Sequence, residues 1–233
     1  MAKPRIVNPP LPATPPQDPV RLLHDWLADA TERAGQRHPN AFALATTDAS
    51  GQPSVRMVLL KDLSMSHGFA VFHTNYRSRK GAELDNRAQA AAVLHWDRLG
   101  RQIRLEGPAV RCPGEESDAY FATRPWQSRL NAWVSDQSQP LRDPAELDER
   151  ARQKAEEFNL PDPAGTASPS ESADAALVRP HFWGGYRLWF AAIEFWSEGT
   201  DRFHDRVRYE RTLTPRGDDA FTTGPWRWQR LQP

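Results

Sequence analysis

From Asp18 to about Arg33 apolar residues recur at helical spacing: Val20, Leu23, Leu27 and Ala30 share one face, with Trp26 beside them. Asp18 offers an N-cap oxygen and Pro19 a φ already suited to a first turn, so the pattern predicts an amphipathic helix here. At Asn40 the period changes from helical to two. Residues 41–47 and 54–60 flank a turn at 48–51 and predict a β-hairpin, and 68–74 predict a third strand. Ser78 is placed to cap a short helix through Leu84. Residues 90–96 and 101–111 predict two more strands, the second alternating Ile103 and Leu105 with Arg104 and Glu106. Short helices are expected at 117–123 and 127–134. A longer one, capped by Asp143, is expected over 144–158. Strand texture resumes at 186–196, 206–213 and 226–231.

The first 17 residues carry five prolines between Pro9 and Pro16 and little that packs, so they read as a flexible N-terminal arm. Residues 160–176 are Pro, Ala, Ser and Asp without apolar periodicity and read as a mobile loop. Strands lie on both sides of the helical section. The reading is therefore one domain over 18–233, mainly β with flanking helices (α+β), built as one antiparallel barrel. No internal repeat is visible.

Composition narrows the function. Hydrophobic residues make up 39% of the chain and nine are Trp, enough for a real core. Lys+Arg and Asp+Glu balance at 30 each, which argues against a protein that coats nucleic acid or an anionic membrane. Cys112 stands alone, so neither an internal disulfide nor a cysteine zinc site can be assembled. The seven His show no metal-ligand spacing, and no metal site is expected. Apolar runs such as 90–94 fall far short of the roughly 20 residues a spanning helix needs. The N-terminus lacks a signal-peptide core, and a cytoplasmic location is expected. Dinucleotide-binding, P-loop and serine-hydrolase motifs are missing.

Three basic clusters remain. In the first, Arg56 and Lys61 bracket an apolar strand, and Ser78, Arg79 and Lys80 open a helix. Backbone amides, a hydroxyl and two cations suit a phosphate dianion. In the second, Tyr120, Arg124 and Ser128 recur every four residues across the break at Pro125. In the third, Arg202, His204 and Arg206 alternate, which in an extended chain puts all three on one face. An ordinary solvated basic turn or helix face explains each cluster taken singly. Together, in a chain of zero net charge, they point to sites for at least two phosphate-bearing ligands.

Eight ordered motifs carry a resemblance. They include Arg56-Met-Val-Leu-Leu-Lys61, Thr74-Asn-Tyr-Arg-Ser-Arg-Lys80, Arg101-Gln102, Tyr120-Phe-Ala-Thr-Arg124 with Ser128, and Trp133 with Gln137-Ser138. Phe182-Trp-Gly-Gly185, Glu194-Phe-Trp196 and Arg202-x-His204-Asp-Arg206 complete the series. From about residue 20 onward the chain resembles the pyridoxine/pyridoxamine 5′-phosphate oxidase family. That resemblance implies an FMN-binding split β-barrel and a homodimer with FMN in the interface cleft. It implies FMN contacts at Arg56, Met57, Val58, Leu59, Thr74, Ser78, Arg79, Lys80, Gln102, Gln137, Ser138, Trp196 and Arg206. Lys61, Tyr120, Arg124 and Ser128 would hold the substrate phosphate. Arg202 and His204 would act at the pyridine ring, as substrate-binding and catalytic residues. The implied reaction oxidises a phosphorylated B6 vitamer to pyridoxal 5′-phosphate and reduces O2 to H2O2.

The chain departs from the family pattern in places. No Tyr precedes Tyr76, so the Arg-x-Tyr element of the family's N-terminal arm is missing, and His73 stands where Tyr is common. After Ser128, Arg129-Leu-Asn replaces the usual Gln-Ile-Gly, adding a cation near the expected phosphate site. Two other readings accommodate such changes: a sister FMN oxidase acting on a reduced phenazine precursor, or a non-catalytic barrel that holds a flavin, haem or B6 phosphate.

Overall fold

The computed structural model describes residues 11–233. The first helix, α1 (Pro19–Arg33), begins as the sequence predicts: the Asp18 carboxylate accepts from the Val20 N–H and Pro19 occupies the first turn. The strands β1 (Ala41–Thr47) and β2 (Pro53–Leu59) form the expected hairpin, Ala43 opposite Met57. A short β3 (Asp62–Ser64), unanticipated, pairs with β4 (Phe69–Asn75). Then follow α2 (Arg79–Asn86), β5 (Gln89–Trp96) and β6 (Arg101–Arg111). The helical section is α3 (Gly114–Ala122), α4 (Trp126–Val134), α5 (Pro144–Glu157) and α6 (Glu171–Ala176). The chain closes with β7 (Trp183–Trp189), β8 (Ala192–Ser197), β9 (Asp205–Glu210), β10 (Leu213–Arg216), β11 (Ala220–Thr223) and β12 (Arg227–Leu231).

The strands β12-β9-β8-β6-β5-β1-β2 neighbour one another in that order; β7 adds to β6 and β4, while β10 and β11 make a separate hairpin. By contacts the chain divides into two compact units. Among the described residues, the first comprises 11–72, 83–110 and 186–233; the second comprises 73–82 and 111–185.

In the first unit, strand alternation sends Ile103, Leu105, Ile193, Phe195, Val207 and Tyr209 into the core, each no more than 1% exposed. Trp26 of α1 packs edge-on against Phe195, ring centroids 5.2 Å apart. Residues 1–10 of the expected arm lie outside the described residues. Of the rest, Leu11 is buried and the Pro16 carbonyl accepts from the Tyr209 hydroxyl at 2.8 Å.

In the second unit, the segment read as a featureless loop contains α6. Ser170 caps it, and Leu160, Ala173 and Leu177 are buried with Trp126, Leu130 and Val134 of α4 and Ala155 of α5. Six residues are too few to show a period, so only tertiary burial reveals this helix.

Candidate active site

The second unit gathers two groups of the expected residues. At the end of β4 and the start of α2, Lys80 is 7% exposed and Ser78 fully buried. The Lys80 ammonium donates to Thr74 Oγ1 at 3.1 Å, Ser78 Oγ at 3.0 Å and Gln137 Oε1 at 3.2 Å. Thr74 also donates to Gln137, at 3.1 Å. Four residues assigned to FMN by resemblance thus share one polar knot. Ser138, next to Gln137, has a left-handed φ of 75°, a strained backbone of the kind held at functional sites. Arg79 is exposed.

The other group is aromatic. His73 stacks on Tyr120 with centroids 3.8 Å apart, and both rings lie nearly parallel to Trp183. The Arg124 guanidinium sits 4.5 Å above the Trp183 ring. The helix break between α3 and α4 therefore brings Tyr120 and Arg124 to one indole. Burial holds the Arg124 pKa below its usual value, and its Nη1 is buried with no hydrogen-bond partner among the described residues. A cation in that condition suits an incoming anion. Gly184, in β7, lets Tyr76 approach closely: a Cβ there would stand 2.0 Å from the Tyr76 hydroxyl oxygen.

Ser128 lies half-buried in the first turn of α4. Arg129, beside it, does not supply the extra phosphate cation suggested by the sequence. Arg129 is 6% exposed, and its guanidinium ion-pairs with Asp174 while donating to the Asp174 carbonyl at 3.0 Å. The cation and the 160–176 segment are structural partners.

In the first unit, Gln102, Trp196 and Arg206 form a row across three strands: Gln102 opposes Trp196 on β6 and β8, and Trp196 opposes Arg206 on β8 and β9. All three are half-exposed. Arg202 and His204 do not continue this row. The expected extended chain is broken by a turn in which Asp201 and Arg202 have φ of 51° and 67°, and β9 begins only at Asp205. His204 returns to Trp196, ring centroids 4.6 Å apart, and its Nδ1 accepts from the Gly199 N–H at 3.4 Å.

Arg56 is woven into the hairpin, donating to the Leu44 carbonyl at 3.0 Å and to Glu83 at 3.0 Å. Met57 is 63% exposed, Val58 and Leu59 are half-buried, and Lys61 is exposed on the sheet rim, its backbone N–H bonded to the Val71 carbonyl. Sequence reasoning passed over the roles of Trp183, Gly199 and the buried Glu83 and Glu194. Glu194 was quoted within a motif, but its place between Arg104 of β6 and Arg208 of β9 depends on strand register, which no local signal gives. Among the described residues, no helix is long and apolar enough to cross a membrane, and no cluster of His, Cys, Asp or Glu is arranged for a metal.

Comparison with known proteins bears on this arrangement. The family described as Pyridoxamine 5′-phosphate oxidase matches residues 28–155, and that described as Pyridoxine 5′-phosphate oxidase C-terminal dimerisation region matches residues 183–233. Proteins named pyridoxine/pyridoxamine 5′-phosphate oxidase from Brucella canis and Brucella suis are each 40% identical over 216 residues, 93% of this chain and 94% of theirs. The crystal structure of PhzG from Burkholderia lata 383, in complex with tetrahydrophenazine-1-carboxylic acid, matches with a TM-score of 0.77 at 33% identity. The match covers 98% of this chain and 99% of that one. A pyridoxamine 5′-phosphate oxidase-related, FMN-binding protein from Nostoc punctiforme matches at a TM-score of 0.65 and 13% identity, over 92% and 98% of the two chains, and speaks to the fold alone. The fold is the antiparallel split β-barrel with flanking helices that the resemblance implies. The chain belongs to the pyridoxine/pyridoxamine 5′-phosphate oxidase family.

Proposed function

We propose that the protein is an FMN-dependent oxidase of pyridoxamine 5′-phosphate, pyridoxine 5′-phosphate or both, forming pyridoxal 5′-phosphate. It acts in the cytoplasm as a homodimer with FMN in the interface cleft. One observation carries the substrate assignment: the buried, unsatisfied Arg124 Nη1 beside Tyr120. The residues also fit the cofactor. Thr74, Ser78 and Lys80 at the start of α2 offer the hydroxyls, cation and backbone amides that the FMN phosphate requires. Gln102, Trp196 and Arg206 form a row on one sheet face, and the resemblance assigns them to FMN as well.

When bound, FMN would supply the two-electron redox chemistry by which substrate C4′ is oxidised and O2 reduced to H2O2. The chain's own residues bind and orient. Lys61, Tyr120, Arg124 and Ser128 grip the phosphate, so that binding energy far from C4′ fixes the reacting geometry. Arg202 and His204 address the pyridine ring. Because His204 Nδ1 accepts from the backbone, its neutral imidazole carries the proton on Nε2, ready to donate outward.

A second reading is supported by the likeness to PhzG: a reduced phenazine carboxylate would also satisfy Arg124. Anaerobic mixing of FMN-loaded protein with pyridoxamine 5′-phosphate separates the two. Flavin bleaching followed by pyridoxal 5′-phosphate absorbance on admitting air is expected. A flavin that stays oxidised, with FMN verified as bound, rejects the B6 reading and makes a reduced phenazine the next substrate to try. Failure with both leaves a flavin-binding protein without this catalysis.

A further inference from the structure

One pleat along from the row of Gln102, Trp196 and Arg206 lies a second row, in which Arg104 opposes Glu194 and Glu194 opposes Arg208. Glu194 is 2% exposed. A carboxylate so withdrawn from water is tolerable only when closely paired. Its two oxygens divide the arginines. Oε2 faces Arg104 at 3.3 Å and Arg208 at 3.9 Å. Oε1 receives both Nε and Nη2 of Arg206, at 2.9 and 2.7 Å.

We propose that Glu194 is a positioning residue, which aims the Arg206 guanidinium at the FMN. The inference rests on the assignment of Arg206 to FMN made above. An arginine side chain is long and rotamer-rich, and a partly exposed one samples many directions. Arg206 is held from two sides instead, by Glu194 and by the Gln232 carbonyl, which accepts from Nη1 at 2.9 Å. Of its five N–H groups these contacts engage three, leaving one on each terminal nitrogen for a ligand. The neighbouring cation is prevented from taking its place: Arg208 is fastened to Glu106 at 2.8 and 3.0 Å. Glu194 thus serves one arginine with one oxygen and is itself stabilised through the other.

The test is a double-mutant cycle on FMN affinity, read by quenching of flavin fluorescence as the FMN-depleted full chain is titrated. Glu194→Gln keeps the side-chain shape and removes the charge. It is expected to weaken FMN about tenfold in the parent chain and less than about twofold in an Arg206→Met background. Glu194→Asp keeps the charge but withdraws it by one methylene. Its expected effect is intermediate, and it supplies the readout if the Gln variant does not fold. An equal loss in both backgrounds makes Glu194 a sheet-stabilising residue and overturns the proposal, as does unchanged affinity in Glu194→Gln. If Arg206→Met itself leaves FMN affinity intact, the assignment of Arg206 to the cofactor fails, a different result from failure of Glu194 alone.

Discussion

The His73 imidazole lies almost flat on the Tyr120 ring, with centroids 3.8 Å apart and planes 16° from parallel. An aromatic ring at position 73 therefore packs against the ring that carries the Tyr120 hydroxyl. His73→Tyr is expected to leave the Michaelis constant for pyridoxamine 5′-phosphate within about threefold. His73→Ala removes a stacked pair worth about 0.5–1.5 kcal/mol and is expected to lower Tm and raise that constant. Steady-state kinetics and thermal melts on the two variants check both.

Arg124 is expected to cost the free protein stability that a bound anion would return. Its cation is desolvated, and one nitrogen finds no partner among the described residues. Arg124→Met is expected to hold or raise Tm in the absence of substrate while raising KM for pyridoxamine 5′-phosphate by tenfold or more, an order of magnitude set by loss of a charged hydrogen bond. Unphosphorylated pyridoxamine should be handled equally by both proteins. A lowered Tm with unchanged KM would return Arg124 to a structural role.

Arg129 is expected to behave in the opposite way. It ties α4 to α6 through Asp174, whose side chain is 45% exposed, so removal of the arginine strands no buried carboxylate. Arg129→Met should cost about 1–3 kcal/mol of stability through lost carbonyl bonds and packing. KM for the phosphorylated substrate should stay within about twofold. Chemical denaturation and kinetics measured side by side decide the point.

Gly199 supports His204 through its N–H, and a Cβ there would stand 1.8 Å from the Phe203 carbonyl oxygen. Gly199→Ala must push the 199–204 turn aside. Turnover is expected to fall at least about tenfold, since a small misplacement of a reacting group is magnified in rate. FMN affinity should remain, because the row of Gln102, Trp196 and Arg206 is built on other backbone. Loss of FMN instead would show that the turn and the row act as one.

Acid should find one weak point at Glu106. The hydrogen bond from Arg208 holds its carboxyl below the usual value of 4.5. The folded protein thus keeps this proton off at a pH where the unfolded chain has taken it up. Stability from the pair is complete above that usual value and is lost as pH falls through the depressed folded value. In urea unfolding, the gap between the parent and Glu106→Gln should be widest near neutrality and should close on acidification. A gap independent of pH would mean that packing, not charge, accounts for it.

The parts of the molecule legible in the sequence are those with local causes. Asp18 and Asp143 announced α1 and α5 because a capping carboxylate and a following proline act within one turn. The run read as a single strand over 186–196 splits into β7 and β8 for a reason that is not local: Phe190 and Ala191 bond to the Gly68 and Glu106 carbonyls. The hairpin of β10 and β11 was hidden by Pro215 and Gly217, which weaken strand texture. The proposed site residues could be named from the sequence only as types in order, through the motifs. Their partners could not be, because the pairing of Arg129 with Asp174 or of Arg206 with Glu194 depends on register and folding across the chain.

The two left-handed residues in the turn before β9 bear on kinetics. Non-glycine residues enter that region at a cost of order 1–3 kcal/mol each, and here Asp201 and Arg202 do so in succession. That cost is met when the chain folds, so the backbone carrying Arg202 need not rearrange as a ligand arrives; only its exposed side chain has to settle, which is fast. Capture at this turn should therefore follow diffusional encounter without a slow isomerisation, and its observed rate should rise linearly with ligand concentration instead of reaching a plateau.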